Sequence, residues 1–173
     1  MKKLALVFAL FALTSCATKP VMLAEEFDEA ETEKQLKDGK NTIEGSAVWR
    51  EKNGAIQKCS GYQVFLYPAT KYAKERMTHM FGDEERGTRE ASKDKVVFVP
   101  DDSRFHQLSR KTVCDVDGKF EFENVANGDY FVVTKIVWGN PEEPEMQTEG
   151  GNLMQKISVK GDKKFKIVLS PYF

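Results

Sequence analysis

Asp115-Val116-Asp117-Gly118-Lys119-Phe120-Glu121-Phe122-Glu123-Asn124-Val125, followed by Gly128-Asp129-Tyr130, carries the strongest structural signal in the chain. The Asp117-Gly118 pair is turn chemistry: Gly tolerates positive φ, and Asp bonds its own backbone. The residues after it alternate, with Phe120 and Phe122 on one face and Glu121 and Glu123 on the other. A period of two with one apolar and one charged face is the pattern of a half-buried strand. Thr112 to Asp115 and Lys119 to Glu123 are therefore read as a β-hairpin.

The same period extends outward in both directions. Ile43 to Trp49 reads as a strand ended by Lys52-Asn53-Gly54, and Tyr62 to Tyr67 as a strand ended by Pro68. Tyr130 to Trp138 is apolar or aromatic on both faces apart from Thr134 and Lys135, which places it in the middle of a sheet. Ile157 and Val159 alternate with Lys156, Ser158 and Lys160; after Gly161-Asp162, Phe165, Ile167 and Leu169 alternate with Lys164 and Lys166, reading as a closing hairpin. About seven short strands within residues 42–173 are the content of one sandwich. One segment has a different period: Ala73, Met77, Met80 and Phe81 fall at i, i+4, i+7 and i+8, a helical stripe between an N-cap at Thr70 and a stop at Gly82. Asp83 to Lys95 is nearly all charged or small and reads as a mobile loop. The expected fold class is mainly β: a β-sandwich of about seven strands with one inserted short helix.

The segments Asp115 to Val125 and Gly128-Asp129-Tyr130, with Gly45 to Val48 and Val64 to Leu66, resemble the carboxypeptidase regulatory-like domain. The resemblance covers most of residues 42–170 and implies a transthyretin-like, Ig-like sandwich. It implies little about function, since such modules occur both as appendages and as isolated envelope domains.

The N-terminus reads as an export signal. Met1-Lys2-Lys3 precede an apolar and small run from Leu4 to Leu13, too short to span a bilayer. Leu13-Thr14-Ser15-Cys16 resembles the lipobox of bacterial lipoproteins, which implies a signal peptide over residues 1–15 and a lipid on Cys16. In that family the residue after the cysteine directs sorting; Ala17 in place of Asp implies the outer membrane, facing the periplasm. The alternative is an ordinary secreted chain with Cys16 a free thiol. Residues 16–41 are rich in Glu, Lys, Asp and Ala and read as a lipidated N-terminus and tether, in part a frayed helix from about Ala24 to Lys37 stopped by Gly39. With Cys16 lipidated, Cys59 and Cys114 remain as an even pair in an oxidising compartment. A bond between them is expected, closing a loop of about fifty-five residues; two buried thiols are the alternative.

The charge balance of 26 basic against 27 acidic residues, with no basic cluster among aromatics, argues against nucleic acid as a partner. His79 and His106 have no second ligand at metal spacing, and Asp115-Asp117-Gly118 lacks the remaining groups of a calcium loop. There is no Gly-x-Ser-x-Gly elbow and no histidine beside a cysteine. The transthyretin-like hydroxyisourate hydrolases end in Tyr-Arg-Gly-Ser, whereas this chain ends Ser170-Pro171-Tyr172-Phe173. No catalytic residue, metal or cofactor is therefore expected. The candidate binding surface is the helix, with Tyr72, Arg76 and His79 facing outward over an inward stripe of Ala73, Met77, Met80 and Phe81, and with Trp138 nearby. The alternative is that the stripe only seals one end of the sandwich. The expected function is a non-enzymatic, membrane-anchored envelope lipoprotein whose sandwich docks onto an envelope protein. A small-ligand or glycan-binding module, or the anchoring lipoprotein of a type VI secretion system, stands as the alternative. Geometry separates the first two: a glycan site is a concave row of exposed aromatics interleaved with polar groups, a docking site a convex apolar patch with a charged rim, and the surface placement of Tyr72, Trp138 and Tyr172 discriminates between them.

Overall fold

The computed structural model describes residues 19–139 and 148–171; the expected signal peptide over 1–15, Cys16 and Tyr172 lie outside the described residues. Its strands are β1 (Val21–Met22), β2 (Asp38–Arg50), β3 (Ile56–Lys58), β4 (Gln63–Pro68), β5 (Arg86–Glu90), β6 (Phe98–Val99), β7 (Arg110–Val113), β8 (Lys119–Val125), β9 (Gly128–Trp138), β10 (Glu149–Val159) and β11 (Lys164–Leu169). Three helices accompany them: α1 (Glu29–Leu36), α2 (Lys71–Phe81) and α3 (Arg104–Gln107).

The expected mainly-β sandwich is present. One sheet has five strands in the order β5-β10-β9-β4-β7; in the other, β2 bonds to β11, β3 and β8. Alternation decides what each strand buries. Val64 and Leu66 of β4, Tyr130, Val132 and Ile136 of β9, and Leu153 and Val159 of β10 face Ile43, Ala47, Phe120, Phe122, Ile167 and Leu169 of the opposing sheet. The intervening residues Tyr67, Phe131 and Met154 point away from that core and form a second one with Tyr72, Ala73 and Met77 of α2, Phe105 of α3, Phe98 and Leu23. The five-stranded sheet is thus apolar on both faces around its centre, which is why Tyr130 to Val133 of β9, hydrogen-bonded to β4 and β10, show no polar side. Phe131 is fully enclosed; burying a side chain of that size contributes about 1.5–3 kcal/mol.

The helical reading of residues 71–81 holds to its caps. The Thr70 hydroxyl accepts a hydrogen bond from the Ala73 amide, and Gly82 ends the helix at φ +80°, a conformation that favours glycine.

Four expectations are corrected. First, β7 and β8 are not a hairpin: β7 pairs with β4 and β8 with β2, so the Asp115 to Gly118 turn carries the chain from one sheet to the other. The turn itself has the expected chemistry, with Asp115 Oδ1 accepting from the amides of Asp117 and Lys119 and Gly118 at φ +76°. Period two reports which face of a strand is buried and is silent on which strand it bonds to. Second, for the same reason, β10 and β11 are not a closing hairpin, since β11 runs parallel to β2 in the other sheet. Third, the expected loop Asp83 to Lys95 contains β5, an edge strand held to β10 through its backbone. Its side chains, Arg-Gly-Thr-Arg-Glu, show no apolar period because an edge strand here buries little. Gly87 in it lies against Phe81, where an added Cβ would come within 2.6 Å of the Phe81 Cβ.

Fourth, the segment expected to be a tether over 16–41 is docked on the sandwich from Val21 onward. β1 pairs with β6, and Leu23 is buried in the second core. The Glu75 carboxylate of α2 accepts hydrogen bonds from the amides of Ala24 and Glu25, which hold its pKa below the usual carboxylate value. Asp28 caps α1 by accepting from the Glu31 amide. Arg110 then donates to the carbonyls of Leu36 and Lys37, fixing the end of that helix to β7. Gly39 does not stop the helix; it lies in β2, which begins at Asp38 where the sequence placed the strand start at Ile43.

Candidate functional site

The outward face of the five-stranded sheet is only partly covered by α2 and α3, and the uncovered part is a groove of about 520 Å³. Its floor follows from strand register. Phe65 is opposite Val133, and Val133 opposite Met154, giving an apolar row across β4, β9 and β10. One step along, Lys135 is opposite Asn152, and Gln63 on β4 extends this polar row. Met77 and Met80 of α2 form one wall; Phe105 and His106 of α3 form the other.

Three rings are aligned at the apolar end. Phe65 and Tyr67 lie 5.6 Å apart between centroids and 8° from parallel; Tyr67 and Phe105 lie 4.5 Å apart and 6° from parallel. Tyr67 and Phe105 are buried, whereas Phe65 is half-buried and reaches the groove. Such stacks gain about 0.5–1.5 kcal/mol per pair beyond the area buried, which makes the wall rigid.

The lining contains no carboxylate; its ionisable groups are Arg76, His106, Lys135 and the phenols of Tyr62 and Tyr67. The Lys111 ammonium sits 5.8 Å from the Phe65 centroid, and the Lys135 ammonium 5.9 Å from that of Tyr62. Arg76 lies behind the groove, its charge met by Asp101 at 2.7 Å. His106 Nδ1 is 3.0 Å from the Tyr67 hydroxyl. Loss of water around the imidazole, then the nearby Arg76 charge, lower the His106 pKa and favour the neutral ring. Burial pushes the Tyr67 phenol up, so it stays protonated and serves as a hydrogen-bonding group.

The residues expected to form the binding surface are not brought together. Tyr72 and Arg76 do not face outward: they are 1% and 3% exposed. The Arg76 guanidinium lies 4.1 Å from the Phe98 centroid and 4.7 Å from that of Phe105, and it donates to Tyr72 Oη at 3.0 Å. Phe27, from the docked N-terminal segment, packs edge-on against Tyr72. The helix is covered on more of its circumference than a single inward stripe allows, which leaves His79 exposed and 4.0 Å from Glu75. Trp138 is on the other side of the sheet, edge-on to Trp49 at 6.2 Å beside the sandwich core. Residues missed by sequence reasoning are Gln63, Phe65, Lys135, Asn152 and Phe105. The available signal was the polar interruption at Thr134 and Lys135 in an otherwise apolar strand, facing Gln63 across β4. Among the described residues no cluster of three or more His, Cys, Asp or Glu side chains is placed to hold a metal ion.

A crystal structure of a protein from Pseudomonas aeruginosa, described as a candidate carbohydrate-binding protein, is similar to this chain with a TM-score of 0.69 and 29% sequence identity. The likeness covers 84% of this chain and 98% of that one. No family model matches the chain, and no curated protein does.

Proposed function

We propose that the chain is a lipid-anchored binding module of the bacterial envelope, with a carboxypeptidase regulatory-like sandwich, whose groove takes a saccharide bearing an anionic group. The observation that carries this reading is the groove floor: an apolar row of Phe65 and Val133 beside a polar row of Gln63, Lys135 and Asn152, in a lining without carboxylates. A pyranose presents an apolar face of C–H groups and a rim of hydroxyls, and these two rows match that division. Lys135 and Lys111, flanking the aromatic rings, favour an acidic sugar over a neutral one. The Pseudomonas aeruginosa neighbour, described as a candidate carbohydrate-binding protein, supports the same ligand class. Docking through an outward row of Tyr72 and Arg76 has no support, since both side chains are buried. The one hydroxyl beside a base in the lining, Tyr67 next to His106, is buried in the ring stack with its pKa raised by burial, so we read the pair as a hydrogen-bonding group and the role as binding.

Titration calorimetry with uronic-acid oligosaccharides and with neutral oligosaccharides of equal length tests this. The acidic series is expected to bind more tightly. Phe65→Ala and Lys135→Gln are each expected to weaken that binding by about tenfold or more, a loss of about 1.4 kcal/mol. Lys135 is exposed, so its replacement should leave stability within about 0.5 kcal/mol. Absence of binding in both series, or binding indifferent to both substitutions, overturns the assignment.

For the anchor, Cys16→Ala is expected to release the mature protein from the membrane fraction, because acyl chains contribute about 0.8 kcal/mol per buried CH2 and supply most of the affinity. Correctly cleaved Cys16→Ala protein that still sediments with membranes would refute it.

A further inference from the structure

β1 and β6 form a separate two-stranded parallel ribbon over the second core. Its inner face, Val21, Leu23 and Phe98, packs on that core. Its outer face consists of Met22, Val97 and Val99, which are 67%, 44% and 39% exposed. Of the seven large apolar side chains that stand exposed among the described residues, these three share one face, and Met22 is directly opposite Val99 in the register. Single exposed apolar residues need no explanation, but a contiguous group does.

The chain itself says what lies nearby. Val21 is five positions along the chain from Cys16, a reach of at most about 18 Å when fully extended. Because β1 and β6 are parallel, both begin at the end of the ribbon from which the chain runs back to Cys16. Lys19 and Lys95 are exposed at that end, while Glu25 and Glu26 come after the ribbon at its other end. We infer that the outer face of the β1–β6 ribbon is a second membrane contact, with Met22, Val97 and Val99 resting in the headgroup region and Lys19 and Lys95 meeting lipid phosphates. The inference rests on Cys16 carrying the lipid. It fixes one side of the domain against the bilayer, where a free tether would let the domain tumble.

The lipidated protein is reconstituted into vesicles of phosphatidylethanolamine and phosphatidylglycerol. An environment-sensitive fluorophore is placed in turn at Met22→Cys, Val99→Cys and Val168→Cys; Val168 is an exposed residue of β11 in the opposite layer. Lipids carrying a shallow nitroxide are expected to quench the labels at 22 and 99 and to leave the label at 168 unquenched. Protein that floats with the vesicles but shows no quenching at 22 or 99 overturns the contact. Protein that does not float overturns the anchor instead. Two separate label sites on exposed side chains guard against one substitution disturbing the fold.

Discussion

Reduction of the Cys59–Cys114 bond is expected to lower the stability of the protein by about 4 kcal/mol, the chain-entropy value for a loop of the 55-residue separation it closes. The bond joins the two sheets at one end of the sandwich. Cys59 follows β3 in one sheet and Cys114 follows β7 in the other. Both sulfur-bearing residues are buried, at 0% and 3% exposure, and their Cα atoms are 5.7 Å apart, within the ordinary range for a bridge. Without the bond, the segment from Cys59 to Cys114, which contains β4, α2 and α3, regains freedom in the unfolded chain. For a domain of this size each kcal/mol moves the melting temperature by about 2–4 °C, so the expected fall is about 8–16 °C. Calorimetric melting with and without reductant measures it, and a Cys59→Ala/Cys114→Ala variant controls for effects of the reductant. A fall of less than about 3 °C in both would mean that the bridge constrains little that the two cores do not already fix.

The sequence made the layers legible but not their connections. The alternations at Phe120 and Phe122 and at Ile167 and Leu169 correctly gave the faces that meet in the sandwich. That β8 bonds to β2 while β7 bonds to β4 depends on which long-range partner presents a free edge, and a period of two contains no such information. β5 was invisible because it is held by backbone hydrogen bonds and carries no apolar pattern. The N-terminal segment was read as solvated because its few apolar residues, Val21, Leu23 and Phe27, are dispersed among charges. They pack only because β6, α2 and α3 offer them a surface assembled from distant parts of the chain. The groove was missed for a related reason. Val133 lies on the outward face of a strand read as apolar on both sides, Phe65 on a strand to which no faces were assigned, and the incomplete cover left by α2 and α3 is a tertiary fact.

Tyr72 and Arg76 are where the sequence was most misleading, and they give the other large expected effect. Tyr and Arg on a helix beside a Met stripe read as a surface row, since both snorkel readily and Arg is seldom buried unless paired. Here α2 is covered by the sheet beneath and by α3, Phe98 and Phe27 at its side, so both side chains are enclosed. Tyr72→Ala removes a ring that meets Phe27 and Phe105 edge-on and a hydroxyl that accepts from Arg76 and from the Asp102 amide. Its cost is expected at about 3–5 kcal/mol, the range for truncating a buried aromatic. Arg76→Ala is expected to cost less, about 2–3 kcal/mol. The guanidinium gives up its contacts with three rings, yet the abandoned Asp101 is 59% exposed and can turn to water. Arg76→Lys keeps the charge but not the planar stacking, so it should recover only part of the loss. The double alanine variant should cost less than the sum of the two, because each single change already breaks the Arg76–Tyr72 hydrogen bond. His79→Ala, exposed on the same helix, should stay within about 0.5 kcal/mol. Urea unfolding of the five variants measures all of this. A Tyr72→Ala midpoint equivalent to less than about 1 kcal/mol would show that the ring is not enclosed and would return α2 to the surface role first read from its sequence.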